Sequence, residues 1–104
     1  MAFAVTYPDT LEVIVGEQLN LSIDFTNVMA FGDSISTPTV TIINNATNEL
    51  VPSAIGTVSF VSNLLKFTLS SSPLHSQGSY TIQATGIVNS VNPISILLLV
   101  EVVF

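Results

Sequence analysis

The chain has 104 residues, a length typical of one domain with a single hydrophobic core. It contains no cysteine, which excludes disulfides and thiolate metal sites. Seven carboxylates against one lysine give a formal net charge of -6, which argues against partners such as nucleic acid or an anionic membrane surface.

The composition is unusually apolar for so small a domain. Charged residues make up 8% of the chain, against about 25% in typical domains, and the mean hydropathy is +0.69. A small domain has too much surface to bury all of these side chains, and large exposed apolar patches usually mark interaction sites. We therefore expect a partner or an oligomer; the alternative is a monomer coated with Ser, Thr and Asn.

Alternation of apolar and polar residues predicts an all-β chain, with helical periodicity nearly absent. Residues 1–10 are expected to form an irregular N-terminal arm, and residues 11–104 the domain. In chain order, strands are predicted at 11–15, 18–26, 38–44, 57–61, 64–70, 79–86 and 94–103, with a short edge strand at 49–51. A long loop is expected at 27–36, and the run at 94–100 is too short to span a bilayer.

Most strands show one face that suits a core. The side chains expected to point inward are Leu19, Leu21, Ile23, Phe25, Val40, Ile42, Tyr80, Ile82, Ala84, Ile94, Ile96, Leu98, Val100 and Val102. The last strand is unusual because its opposite face also carries Leu97, Leu99 and Val103. This strand is therefore either covered on both faces by its own chain or part of an interface.

Seven to eight short strands with turn signals between them predict an immunoglobulin-like antiparallel β-sandwich. Tyr80, in "QGSYTIQATG", occupies the place of a tyrosine-corner residue at the start of the penultimate strand. The cysteines and tryptophan of true immunoglobulin domains are absent, so the prediction concerns the architecture alone.

The stretch "AFGDSIS" at residues 30–36 is similar to the nucleophile block of GDS(L)-type ester hydrolases, with Ser34 in the place of the nucleophile. Such enzymes also need a base and a group that orients it, which they supply through a D-x-x-H motif. Here the one histidine is His75, and residue 72 is a serine. We expect no enzyme; instead Asp33 or Ser34 should accept nearby backbone N–H groups and fix a turn.

No other group of residues predicts a chemical site. The carboxylates are scattered without a calcium-loop pattern, and no glycine-rich phosphate loop occurs, so we expect no metal and no cofactor. Lys66 should point outward from its strand. The aromatic residues Phe3, Tyr7 and Phe31 lie in the arm or a loop, where they would either anchor an interface or pack locally.

Two longer stretches support a family resemblance: "GEQLNLSIDFTNVMAFGDSISTPTVTI" and "GSYTIQATGIVNS". They resemble the small immunoglobulin-like structural proteins of tailed bacteriophages, over most of the chain. The matching positions are Gly32, Asp33, Ile35, Thr39, Val40, Thr41, Gly78, Tyr80 and Ile82. The chain departs from the family pattern in its first long loop, where "TNVMAF" is apolar.

This resemblance implies a non-catalytic virion component, and we expect a capsid decoration (cement) protein on the outer capsid surface. Its partner would be the major capsid protein or another shell protein, with a homo-oligomer formed on the shell. The interface candidates are Phe3, Tyr7, Phe31, Leu97, Leu99 and Val103. The alternatives are a head–tail or tail-fibre adaptor subunit and a cell-surface binding module.

Overall fold

The structure, a computed structural model, describes residues 3–6, 11–14, 16–70 and 78–103, and at residues 3–6 the backbone alone. The strands of this part of the chain are β1 (Phe3–Thr6), β2 (Leu11–Ile14), β3 (Gln18–Asp24), β4 (Ile35–Asn44), β5 (Ile55–Val61), β6 (Leu64–Ser70), β7 (Gly78–Val88) and β8 (Asn92–Val103). Short 3-10 turns occupy Thr26–Val28 and Pro52–Ala54.

The strands form two packed sheets, which confirms the predicted immunoglobulin-like β-sandwich. One sheet has the order β4-β7-β8, with β1 and β2 both lying along the far edge of β8. The other has the order β3-β6-β5. All neighbours pair antiparallel except β1 and β2, which run parallel to β8.

The prediction of an irregular arm over residues 1–10 is wrong for residues 3–6. These residues form β1, in register with β8 from Phe3 opposite Ile94 to Thr6 opposite Leu97. A four-residue strand carries too little alternation to be recognised, and its partner lies about ninety residues away along the chain. The five-stranded sheet therefore includes a segment that the sequence pattern had left outside the domain.

Other differences concern strand ends. β4 begins at Ile35 rather than at 38, because the strand passes Pro38 through an irregularity with a left-handed Thr37 (φ +54°). β3 ends at Asp24, since the chain turns into the 3-10 segment at Thr26. The edge strand expected at 49–51 is a single bridge between Leu50 and Ile43.

The core lies between the sheets, and the predicted inward faces are confirmed. Ile23, Phe25, Ile42, Tyr80, Ile82, Ala84, Ile96, Leu98, Val100 and Val102 are buried, while Leu19, Leu21, Val40 and Ile94 are half-buried at its margin. Phe25 meets Phe60 edge to face with ring centroids 5.6 Å apart. Burying one such side chain contributes about 1.5–3 kcal/mol, and these contacts fix the two sheets against each other.

Candidate protein-interaction surfaces

The "AFGDSIS" stretch forms a tight turn at one end of the sandwich. The Asp33 carboxylate accepts the N–H of Ala30 at Oδ2 over 2.9 Å, and the Asp33 N–H donates to the Ala30 carbonyl over 3.1 Å. Gly32 takes a left-handed conformation at φ +87°, which suits a residue without a side chain. The prediction that Asp33 accepts a nearby backbone N–H and fixes a turn is confirmed.

Asn89, in the turn between β7 and β8, ties this loop to the neighbouring turn. Its side-chain Nδ2 donates to Asp33 Oδ1 over 2.9 Å, and its Oδ1 accepts the N–H of Ser34 over 3.1 Å. Its own N–H donates to the Ser34 carbonyl over 2.9 Å. The hydrogen bond from Asn89, together with that from Ala30, lowers the pKa of the Asp33 carboxyl below its ordinary value.

The surroundings of Ser34 are those of a turn residue. Its Oγ lies 3.5 Å from Asn89 Oδ1, an amide oxygen rather than an imidazole nitrogen. His75, the one histidine of the chain, lies outside the described residues. Within those residues, no group of three or more His, Asp or Glu side chains is placed to hold a metal ion.

The result is a hydrogen-bonded loop end that presents apolar side chains to solvent. We define the loop end as residues 25–34, 61–63 and 89–91. The three segments are joined by the Asn89 contacts and by the Phe25 N–H, which donates to the Asn63 carbonyl over 2.9 Å. Phe31 is fully exposed, at 108%, and Val91 is 73% exposed. From the sequence, Phe31 is expected either to pack locally or to anchor an interface. Local packing is wrong, because the side chain is fully exposed.

A second apolar surface lies on the solvent side of β8, and we call it the outer sheet face. It comprises Leu97, Leu99 and Val103 on β8, with Ile14 on β2 beside Val103. Leu99 is 40% exposed and Ile14 is 55% exposed, while Leu97 and Val103 are half-buried. No described segment covers Leu99 fully, so among the described residues the chain does not close over this strand at that position.

Polar residues of β7 and β8 lie beside and within this apolar row. Ser95 is buried and accepts from Gln83 Nε2 over 3.1 Å, and its hydroxyl lies 2.8 Å from that of Thr85. At the other end of β8, the hydroxyl of Ser79 donates to Glu101 Oε1 over 2.7 Å. These polar groups are satisfied within the sheet, which leaves the apolar row as the part that gains from a partner.

The outer sheet face also carries negative charge. Glu12 on β2 lies directly beside Glu101 on β8, so two carboxylates are neighbours within the row, between Leu99 and Val103. Lys66, the one lysine of the chain, is exposed as predicted and lies on β6, in the opposite sheet. A group that binds this face would therefore be complementary if it offered apolar side chains together with cationic groups opposite Glu12 and Glu101.

The structure separates the predicted interface residues into two groups. Phe31 lies at the loop end, near the start of β8. Leu97, Leu99 and Val103 lie progressively farther from that end along β8, in a domain that is 43 Å long. Phe3 lies in β1, where only the backbone is described, and Tyr7 lies outside the described residues. The sequence did not single out Ile14, although its alternate position to Val13 in β2 was a usable signal.

Comparisons with known proteins add no relative: no protein-family model matches the chain, and no curated protein matches it. Among the described residues, no helix is long and apolar enough to cross a membrane.

Proposed function

We propose that this domain is a non-catalytic structural subunit of a tailed-phage virion, which decorates the outside of the capsid and binds the major capsid protein or another shell protein. The observation that carries the proposal is the uncovered apolar row of the outer sheet face, centred on Leu99. A sheet face turned to water is ordinarily polar, and an apolar one gains free energy when a partner removes it from solvent. The resemblance to phage immunoglobulin-like proteins supports the choice of a virion partner.

The charge supports the orientation on the shell. A net charge of -6 disfavours contact with packaged DNA and suits the outer surface of a DNA-filled shell. The carboxylates of Glu12 and Glu101, which lie between Leu99 and Val103, would then meet lysine or arginine side chains of the shell protein. Complementary charges across a contact raise the association rate and make it depend on salt.

In this proposal the protein acts by mass action. A subunit that binds the mature shell more tightly than the immature or disrupted shell stabilises the mature form in proportion to that difference. The rigid β-sandwich needs no conformational change for this, because its outer sheet face is already formed.

The test is co-sedimentation of the purified chain with heads of the phage that encodes it, prepared without this protein. The proposal expects saturable binding at roughly hundreds of copies per head, with each copy making a contact of the size usual for specific interfaces. Heads that still carry the protein are the matched control and should take up little more. Saturation at about a dozen copies would instead indicate an adaptor, and no binding would contradict a place in the shell.

A further inference from the structure

Three of the four sheet edges among the described residues are interrupted. Along the β1/β2 edge, β1 pairs with residues 94–97 of β8 and β2 with residues 100–103, so the two ladders are not continuous. The β4 edge has a register shift between Ser36 and Thr39 and is covered near its end by the Leu50 bridge. The β5 edge has a register shift after Gly56. Interruptions of this kind protect an edge against pairing with another strand.

The edge formed by β3 has none of these features. Its register with β6 is continuous over all seven residues, from Gln18 opposite Ser70 to Asp24 opposite Leu64. The strand "QLNLSID" contains no proline, glycine or lysine, and no described segment pairs with its other side. A regular edge of this length presents backbone N–H and C=O groups to any strand that approaches it.

We propose that β3 pairs antiparallel with β3 of a second copy of this chain, about a two-fold axis at Leu21, so that two three-stranded sheets join into one six-stranded sheet. The strand is self-complementary in this register. Leu21 faces its own copy, Leu19 faces Ile23, Asn20 faces Ser22, and Gln18 faces Asp24. Apolar side chains thus meet apolar ones on the inner face, and polar side chains meet polar ones on the outer face.

The charges also fit a second copy rather than an unrelated acidic strand. Asp24 is the one charged residue of β3, and in this register it faces the neutral Gln18 instead of its own copy. Thr26 N–H already donates to Asp24 Oδ1 over 2.8 Å, and the carboxylate can accept a further bond from the Gln18 amide. A net charge of -6 would oppose most contacts between two copies, but this contact brings no two carboxylates face to face.

Pairing would also cover apolar surface that the monomer leaves at the margin of its core. Leu19 and Leu21 are half-buried, whereas Ile23 on the same face is buried. In a symmetric pair these leucines are covered on both copies, because an isologous contact uses the same residues on each side. This inference concerns the chain alone and does not rest on a role in a virion.

The test compares two double variants by sedimentation velocity, up to about 1 mM protein, where weak specific association is still measurable. Asn20→Glu with Ser22→Glu would set like charges opposite each other twice across the two-fold axis. Asn20→Lys with Ser22→Glu would set opposite charges there instead. Both share Ser22→Glu, which faces Lys66 within the monomer, so the variants differ only at residue 20.

We expect the wild-type chain to dimerise, the Glu/Glu variant to dissociate at least about tenfold more readily, and the Lys/Glu variant to match or exceed the wild type. Thermal unfolding of dilute samples checks that both variants fold. A wild-type chain that stays monomeric throughout the series would overturn the inference. So would a dimer that the Glu/Glu variant leaves unchanged, since the contact would then lie elsewhere.

Discussion

Asn89 and Asp33, 56 residues apart in the chain, are joined by a hydrogen bond of 2.9 Å from Nδ2 to Oδ1. The same Asn89 side chain accepts the Ser34 N–H through Oδ1, so one amide bridges two turns. Phe31 therefore lies on a loop that is tied by hydrogen bonds to the neighbouring turn. To the extent that these bonds order the loop in the free protein, binding through Phe31 costs less conformational entropy.

Removing the Asn89 side chain should loosen this loop without unfolding the domain. Asn89→Gly keeps the left-handed backbone of φ +52° and loses the two side-chain bonds, so we expect the free energy of unfolding to fall by about 1 kcal/mol. Ser90→Gly, at φ +62° in the same turn, is the matched control and should cost clearly less. Urea unfolding measures both, and equal losses would contradict a role for the side chain.

Asp33 and Asn89 should also be energetically coupled. Asp33→Ala removes the same hydrogen bond from the other side, so the double variant should lose less stability than the sum of the two single variants. We expect a coupling free energy of about 0.5–1 kcal/mol from the double-mutant cycle. Strict additivity would mean that the 2.9 Å contact contributes nothing to stability.

The loop should respond to acid. The hydrogen bond from Asn89, then that from Ala30, lowers the pKa of Asp33, and bonds from Thr26 lower the pKa of Asp24. A lowered pKa in the folded state gives stability that is present above the ordinary carboxyl pKa of about 4 and is lost as pH falls through the lowered value. NMR shifts of the Ala30 N–H and Asn89 amide should follow this titration.

Asp33→Asn is the control for the acid response, because its side chain cannot titrate. In that variant the Ala30 and Asn89 signals should no longer show the titration that the Asp33 carboxyl causes in the wild type. If the wild-type signals moved only at or above the ordinary carboxyl pKa, the hydrogen bonds would not be lowering it.

Leu99→Asp should abolish binding to the shell while leaving the domain folded. Leu99 is 40% exposed, so the charge can reach water in the free domain, but it would be buried unpaired in the proposed contact. Leu97→Asp should weaken binding too, but it should in addition destabilise the fold, because Leu97 is half-buried. Leu50→Asp makes the same change at a side chain that is 62% exposed and belongs to neither apolar surface, so it should bind normally in the co-sedimentation assay. Circular dichroism that showed Leu99→Asp unfolded would remove the basis for this expectation.

Gly86→Ala should destabilise the core of the sandwich. A Cβ at this position would lie 2.5 Å from Ile35 Cδ1 and 2.8 Å from Phe60 Cζ. Overpacking of this kind costs about 1–3 kcal/mol, measured by urea unfolding. Ile35 Cγ1 would also lie 2.7 Å away, so adding Ile35→Ala, which deletes both Ile35 atoms, should make the glycine replacement less costly than it is in the wild-type background. No relief from that second change would mean that the neighbours already yield.

The strands and the core followed from the sequence because alternation of period two is a local signal. Ile96 and Leu98 were assigned inward and Leu99 outward from their phase alone, and the structure agrees. The turn at Asp33 was predicted for the same reason, since its partner Ala30 is three residues away.

What the sequence left out depends on distant partners. β1 is defined by pairing with β8, and Asn89 gains its role from Asp33, which precedes the neighbouring strand β4 of the same sheet. No pattern within either segment records such a contact. The early start of β4 was missed because Pro38 usually ends a strand, whereas here a register shift accommodates it.

The parallel pairing of β1 and β2 with β8 has a mechanical consequence. The first and last strands run in the same direction. Phe3, at the start of β1, lies beside the start of β8, whereas Val103 lies at the far end of β8. A pulling force applied between these two positions would load both ladders along the strands, and their hydrogen bonds would have to break together rather than one by one. Resistance to such a force depends on the unfolding rate and not on the free energy of unfolding. This strand arrangement therefore predicts slow unfolding when the domain is pulled between these two positions.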